Sequence, residues 1–134
     1  MLLNCETDYA IRIVACLADT GEKMDAGSIS EKTGVTPRYT LKILHKLSKG
    51  DIVKSYKGAK GGFVLAKEPE DITLYDVIVL ISGPITFSNC QKNSTPCTHP
   101  MGECYFRNTF EQVSIFTEKL FKEANFSRSS KNEI

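Results

Sequence analysis

Within the run Thr33-Gly34-Val35-Thr36-Pro37 the chain specifies both an ending and a beginning. Gly34 suits the left-handed conformation that closes many helices, because a residue without Cβ meets no steric cost there. Thr36 offers a hydroxyl to cap a new helix, and Pro37 fits the first helical position, where its missing N–H is not needed. Upstream, residues 26–33 predict a short helix. Downstream, Tyr39, Ile43, Leu44 and Leu47 supply a buried stripe at threes and fours that runs until Gly50 stops it. Two helices joined by so tight a turn form a helix-turn-helix, whose second helix would lie in the DNA major groove and present Arg38, Leu41, Lys42 and His45 outward. A plain helical hairpin satisfies the same pattern, so the flanking segments have to decide.

The segment before the pair, roughly Cys5 to Ala18, carries Tyr9, Ile13, Val14 and Leu17 at helical spacing, with Thr7 and Asp8 placed to cap or charge-stabilise its first turn. After the pair, 51–56 alternates as a strand does, 57–62 (Lys-Gly-Ala-Lys-Gly-Gly) is a glycine-rich turn, and Phe63-Val64-Leu65 returns as the partner strand. A basic hairpin directly after a recognition helix is the wing of a winged helix, with Lys54, Lys57 and Lys60 projecting towards the DNA backbone or minor groove. A nucleotide-binding P-loop is excluded, because G-x-x-x-x-G-K-[ST] is missing. Charge agrees with a phosphate-binding face. Residues 22–67 hold Lys23, Lys32, Arg38, Lys42, Lys46, Lys49, Lys54, Lys57, Lys60 and Lys67 against Glu22, Asp25, Glu31 and Asp51, on a chain of net charge +1. A solvated lysine-rich surface produces such runs as well.

Residues 71–81 predict another helix, capped near Asp71 or Thr73 and ended by Gly83 and Pro84. From about Cys104 to Ala124, Phe106, Phe110, Val113, Phe116, Thr117, Leu120 and Phe121 recur at threes and fours. A chain of 134 residues cannot cover so large an aromatic face by itself, which makes a two-fold homodimer the economical answer. The expected fold is mainly α with a small β-hairpin: a winged helix-turn-helix domain over 1–83, a cysteine-rich loop over 84–104, a long dimerisation helix over 105–126 and a frayed polar tail over 127–134.

That loop holds Cys90, Cys97 and Cys104 in a C-x6-C-x6-C array among Asn, Ser, Thr, Pro and Gly. No apolar run approaches the ~20 residues that span a bilayer, and the first residues lack the basic and apolar regions of a signal peptide. The expected compartment is therefore the reducing cytoplasm, where grouped thiols bind metal or sense redox state more often than they form disulfides. Thiolates are the preferred ligands of iron-sulfur clusters. The remaining cysteines, Cys5 and Cys16, fall in an apolar helical pattern and read as small buried hydrophobes. No nucleophile–base pair stands out, and His45 and His99 are both explained without catalysis, so an enzyme is not expected.

Taken in order, Thr-Asp-Tyr-Ala-Ile-Arg at 7–12, Thr-Pro-Arg-Tyr at 36–39 followed by Lys-Ile-Leu-His-Lys-Leu, Lys-Gly-Ala-Lys-Gly-Gly-Phe at 57–63, Leu74-Tyr75-Asp76-Val77 and the cysteine triad carry a resemblance that covers most of the chain. The chain resembles the bacterial IscR/NsrR family of winged-helix transcription regulators, in which an iron-sulfur cluster sits between the dimerisation helix and the DNA-binding domain. The resemblance implies a cluster, 4Fe-4S or 2Fe-2S, held by Cys90, Cys97 and Cys104. It also implies a roughly palindromic double-stranded operator, contacted by Thr36, Arg38, Tyr39, Leu41 and Lys42 on the recognition helix and by Lys54, Lys57, Lys60, Gly61 and Gly62 in the wing.

The fourth ligand is where the chain departs from its kin. IscR-like members carry a histidine three residues after the last cysteine; that position is Arg107, a permanently protonated guanidinium that cannot ligate iron. NsrR-like members resemble this chain at Asp8, a carboxylate that would reach the cluster from the opposite subunit. His99, a water or a small thiol are the other candidates. Such a weak ligand suits a sensor, and the resemblance implies a DNA-binding regulator, expected to be a repressor, that responds to nitric oxide, oxygen or iron-sulfur status. Two cluster-free alternatives stand beside it: a thiol or redox sensor, and a zinc module using Cys90, Cys97, Cys104 and His99, although zinc sites ordinarily use C-x2-4-C pairs.

Overall fold

A computed structural model of the chain describes residues 3–87 and 105–127. Their elements run α1 (Cys5–Thr20), α2 (Ala26–Thr33), α3 (Pro37–Lys49), β1 (Val53–Tyr56), β2 (Gly62–Leu65), a short 3-10 turn (Pro69–Asp71), α4 (Leu74–Ser82) and α5 (Tyr105–Glu123). This is a mainly helical winged-helix fold with one two-stranded antiparallel sheet.

Side-chain caps set the helix starts. Asn4, rather than Thr7 or Asp8, caps α1: its Oδ1 accepts from the Thr7 backbone N–H at 2.8 Å. Thr7 is instead fully buried, and its hydroxyl also meets the Ser82 hydroxyl at the end of α4. Asp25 caps α2, and Thr73 caps α4 in a reciprocal box with Asp76. The 3-10 turn takes Asp71, so α4 starts three residues later than the sequence pattern suggests.

The helix-turn-helix joint forms as its residues dictate. Gly34 adopts φ 75° and its N–H donates to the Ser30 carbonyl at 3.0 Å. Thr36 caps α3 with Pro37 in its first turn. The Val35 carbonyl inside the turn accepts from the buried Ser30 hydroxyl at 2.5 Å and from Thr40 at 3.4 Å, which fixes the angle between the two helices.

Ala10, Ile13, Val14 and Leu17 of α1, Ile29 of α2 and Ile43, Leu44 and Leu47 of α3 meet in one core, joined by Ile52, Val53, Ile72 and Val77. Each of the large side chains among them stabilises the fold by about 1.5–3 kcal/mol on burial. Two sequence expectations fail here. Tyr39 is not part of the buried stripe of α3 but 46% exposed, and Thr40 is the residue buried at that level, because its hydroxyl has a carbonyl partner in the turn. Cys5 is not a small buried hydrophobe either; it is exposed, whereas Cys16 is partly buried against the core.

The wing strands pair from Val53↔Leu65 to Tyr56↔Gly62. A third segment joins them, because Met24, in the link between α1 and α2, exchanges both backbone hydrogen bonds with Phe63, at 3.0 and 2.7 Å. Gly62 is obligatory at this crossing: it sits at φ 151°, and a Cβ would lie 2.8 Å from the Met24 carbonyl oxygen.

α5 packs on α4 through its C-terminal half. Residues 105–113 are all exposed, and Phe106, Phe116 and Leu120 are 67, 64 and 49% exposed. Beyond Glu123 the chain returns to the winged unit: the Leu74 N–H donates to the Ala124 carbonyl at 2.8 Å, the Phe126 N–H donates to the carbonyls of Pro69 and Ile72, and the Phe126 ring is buried.

Candidate nucleic-acid interface and cysteine segment

α3 and the wing present the expected basic surface. Thr36, Arg38, Tyr39, Leu41, Lys42 and His45 are all exposed on α3, with Leu41 at 54%. Arg38, Tyr39 and Lys42 line a recess of about 490 Å³. Lys54, Lys57 and Lys60 are exposed on the wing. Gly61 is as constrained as its neighbour, since a Cβ there would lie 2.3 Å from the Tyr56 carbonyl. Lys46 belongs to the same basic run but is committed elsewhere: its Nζ is 2.5 Å from Glu6 Oε1 and ties α3 to α1.

The exposed end of α3 is connected to α1 by rings and charges. Tyr39 meets Tyr9 edge to face with centroids 5.8 Å apart, and Lys42 Nζ lies 5.9 Å from the Tyr39 centroid. Arg12 lies 5.8 Å from the Tyr9 centroid and pairs with the half-exposed Asp8 carboxylate at 2.9 Å. Asp8, Arg12, Tyr9, Tyr39 and Lys42 thus form one continuous contact chain. Sequence reasoning missed it, because Tyr9 reads as core and Arg12 as a solvated cation.

Asp8 follows Thr7, whose hydroxyl touches the last residue of α4. The chain enters the cysteine-rich stretch just beyond that point, and Cys104 is the residue before α5. Cys90, Cys97, Cys104 and His99 themselves lie outside the described residues, as does the tail over 128–134. Among the described residues no three His, Cys, Asp or Glu side chains gather to hold a metal ion. Cys16 lies on a shallow groove between α1 and α2 with Arg12, Asp19 and Lys32; burial pushes its thiol up, partly offset by the Lys32 charge. At the other end of the molecule, Lys122 of α5 lies over the Tyr75 ring of α4 at 4.6 Å and pairs with Glu118 at 2.8 Å.

A family model described as an iron-dependent transcriptional regulator, Rrf2, matches residues 3–128. The chain belongs to the Rrf2 family. A helix-turn-helix-type transcriptional regulator of Aquifex aeolicus is 30% identical over 124 residues, which cover 91% of this chain and 86% of that one. Among solved structures, CymR, the global cysteine regulator of B. subtilis, superposes with a TM-score of 0.81 at 21% identity, covering 100% and 99% of the two chains. T. potens IscR does so at 0.78 and 23% identity, over 98% and 88%. This Rrf2 protein is accordingly a DNA-binding transcriptional regulator and not an enzyme. No helix among its described residues is long and apolar enough to cross a membrane.

Proposed function

We propose that this Rrf2 protein is a homodimeric repressor whose affinity for a roughly palindromic operator is controlled by an iron-sulfur cluster bound at Cys90, Cys97 and Cys104. The observation that carries the reading is where the cysteine-bearing stretch attaches: at one end to α4 beside Thr7 and Asp8, at the other to the exposed beginning of α5. The donor set fits such a group. Three thiolates suit soft iron-sulfur chemistry, and Asp8, half-exposed and paired with Arg12 among the described residues, is a carboxylate able to change partner, with His99 as the other candidate fourth ligand. When bound, the cluster supplies a centre that nitric oxide, oxygen or loss of iron can dismantle.

The chain's own residues do the rest. The three cysteines order the stretch between α4 and α5, which fixes the angle between the dimer helix and the winged unit. Two α3 helices related by the dimer axis then stand about one turn of DNA apart, ~34 Å. Thr36 and Arg38 anchor the N-terminal end of α3, Tyr39 and Lys42 flank it, and Leu41 offers an apolar contact to a thymine methyl. Lys54, Lys57 and Lys60 bring charge to the DNA backbone from the strand and turn that lead into Gly61 and Gly62.

The test is to purify the protein without oxygen, measure iron and acid-labile sulfide, and compare operator affinity of the wild type with Cys90→Ala, Cys97→Ala and Cys104→Ala before and after nitric oxide. Iron with equimolar sulfide and a nitric oxide response lost in the variants support the reading; unchanged affinity and response in the variants reject it. The likeness to CymR, a cysteine regulator, favours a second reading in which the same thiols sense redox state without metal. Protein without iron that still changes affinity on reversible oxidation selects it, and one bound zinc per chain selects the zinc module.

A further inference from the structure

Among the described residues, a cation that the proposed interface does not use lies against the wing. Lys23 stands in the link between α1 and α2, next to Met24, whose backbone pairs with Phe63. Its Nζ donates to the Lys60 carbonyl at 3.2 Å and lies 4.4 Å from the centroid of the Tyr56 ring. Its Cγ lies against Gly62, 3.0 Å from where a Cβ would stand. Lys23 therefore touches both flanks of the loop 57–61: Tyr56 on the outgoing strand, Lys60 and Gly62 on the return.

We infer that Lys23 is a positioning residue that holds the wing loop in its DNA-contacting shape before DNA arrives. The physical argument is one of entropy. A glycine-rich loop carrying Lys57 and Lys60 samples many conformations, and ordering it during binding would cost affinity that an already fixed loop keeps. Within the loop one hydrogen bond closes the turn, from the Gly61 N–H to the Gly58 carbonyl at 2.9 Å. Lys23 adds a charge-assisted bond to the Lys60 carbonyl and a cation–ring contact from outside, and Met24 anchors the base of the loop. The carbonyl and the ring hold the Lys23 ammonium against the wing loop.

This role rests on the reading that the wing contacts DNA, and two measurements separate them. In the free protein, amide hydrogen exchange over 57–62 should accelerate in Lys23→Ala and return to the wild-type rate in Lys23→Arg, which keeps both a donor and a ring contact, with the fold retained in both. In operator binding, Lys23→Ala should weaken affinity about fivefold, the effect of one lost hydrogen bond, equally across sequences. Lys57→Ala should then weaken binding less in the Lys23→Ala background than in the wild type, because a loosened wing delivers Lys57 less often. Unchanged exchange, or costs of Lys23→Ala and Lys57→Ala that simply multiply, would overturn the inference and make Lys23 an ordinary phosphate contact or a bystander. Lys57→Ala without effect in the wild type removes the wing from the interface and this role with it, whereas an effect of Lys57→Ala with none of Lys23→Ala removes Lys23 alone.

Discussion

Tyr9 of α1 meets Tyr39 of α3 edge to face, with ring centroids 5.8 Å apart and planes at 64°. The exposed recognition-helix tyrosine is thereby oriented by the helix whose Thr7 meets the end of α4. An aromatic pair of this geometry contributes about 0.5–1.5 kcal/mol beyond the area it buries. Tyr9→Leu should therefore cost about 1 kcal/mol in chemical denaturation and weaken operator binding several-fold, with Tyr39→Leu adding little further on that background. Additive losses in DNA affinity would mean that the two rings act separately.

At Gly34 the turn between α2 and α3 depends on backbone shape and not on packing. Gly34 sits at φ 75° with no atom near the position of a Cβ, so Gly34→Ala meets no clash and pays only for the left-handed conformation. The expected loss is about 1–2 kcal/mol of stability by urea denaturation, with a fold that still forms. Loss of the fold altogether would show the turn to be packed more tightly than it is.

The apolar face of α5 is the surface expected to pair in the proposed homodimer. Phe116 and Leu120 are among its exposed side chains, and a carboxylate at either position would face an apolar partner surface. Phe116→Glu and Leu120→Glu should run as monomers in light scattering and lose the full palindrome while still binding a half-site weakly. A dimer that persists in both variants would locate the interface elsewhere.

Cys16 gives a pH signature distinct from that of the triad. Burial raises its thiol pKa in the folded chain, so the fold favours the neutral form. Its contribution to stability is fully present below the unfolded cysteine pKa and is lost as pH rises through the higher folded value. Cys16→Ala should flatten the alkaline edge of the stability profile. In a background lacking Cys90, Cys97 and Cys104, iodoacetamide at mildly alkaline pH should label exposed Cys5 well before Cys16; equal rates would contradict the burial.

Asp8 carries a prediction about the sensor. Asp8→Asn removes the charge that pairs with Arg12 and the proposed labile oxygen donor, while leaving the Asn4 cap of α1 in place. Its half-exposed ion pair contributes little to folding, so thermal stability should stay within ~0.5 kcal/mol. The rate at which nitric oxide bleaches the anaerobic protein should change. Identical bleaching would leave His99 or a small exogenous ligand as the fourth donor.

Much of the architecture was legible because its punctuation is local. Gly34, Thr36, Pro37 and Gly50 each act through a backbone preference or a nearby cap, and they mark α2, the turn and α3 where the structure has them. Periodicity misread Tyr39 because hydropathy ranks a tyrosine above a threonine; at this level of α3 the threonine hydroxyl has a carbonyl to bond inside the fold, and the tyrosine ring has another ring outside it. Asn4 was overlooked because Thr7 and Asp8 are also good caps. The return of Ala124 to Phe126 onto residues 69–74 and the bridge from Met24 to the wing had no signal, since each is a few backbone bonds between segments distant in sequence. Lys23 was visible only as one of ten basic residues in the stretch 22–67, and its contacts depend on that bridge.

The anchoring of Phe126 has a mechanical consequence. α5 is clamped at its far end and along its second half, while its first nine residues extend away from the winged unit, beginning directly after Cys104. The nine free residues of α5 make an arm about 14 Å long, so a shift of about 3 Å at Tyr105 corresponds to roughly 12° of rotation about the clamp. On the proposed function, a small rearrangement among Cys90, Cys97 and Cys104 would act on this free arm of α5, with its fulcrum where the helix packs on α4, and would change the angle at which two winged units meet DNA.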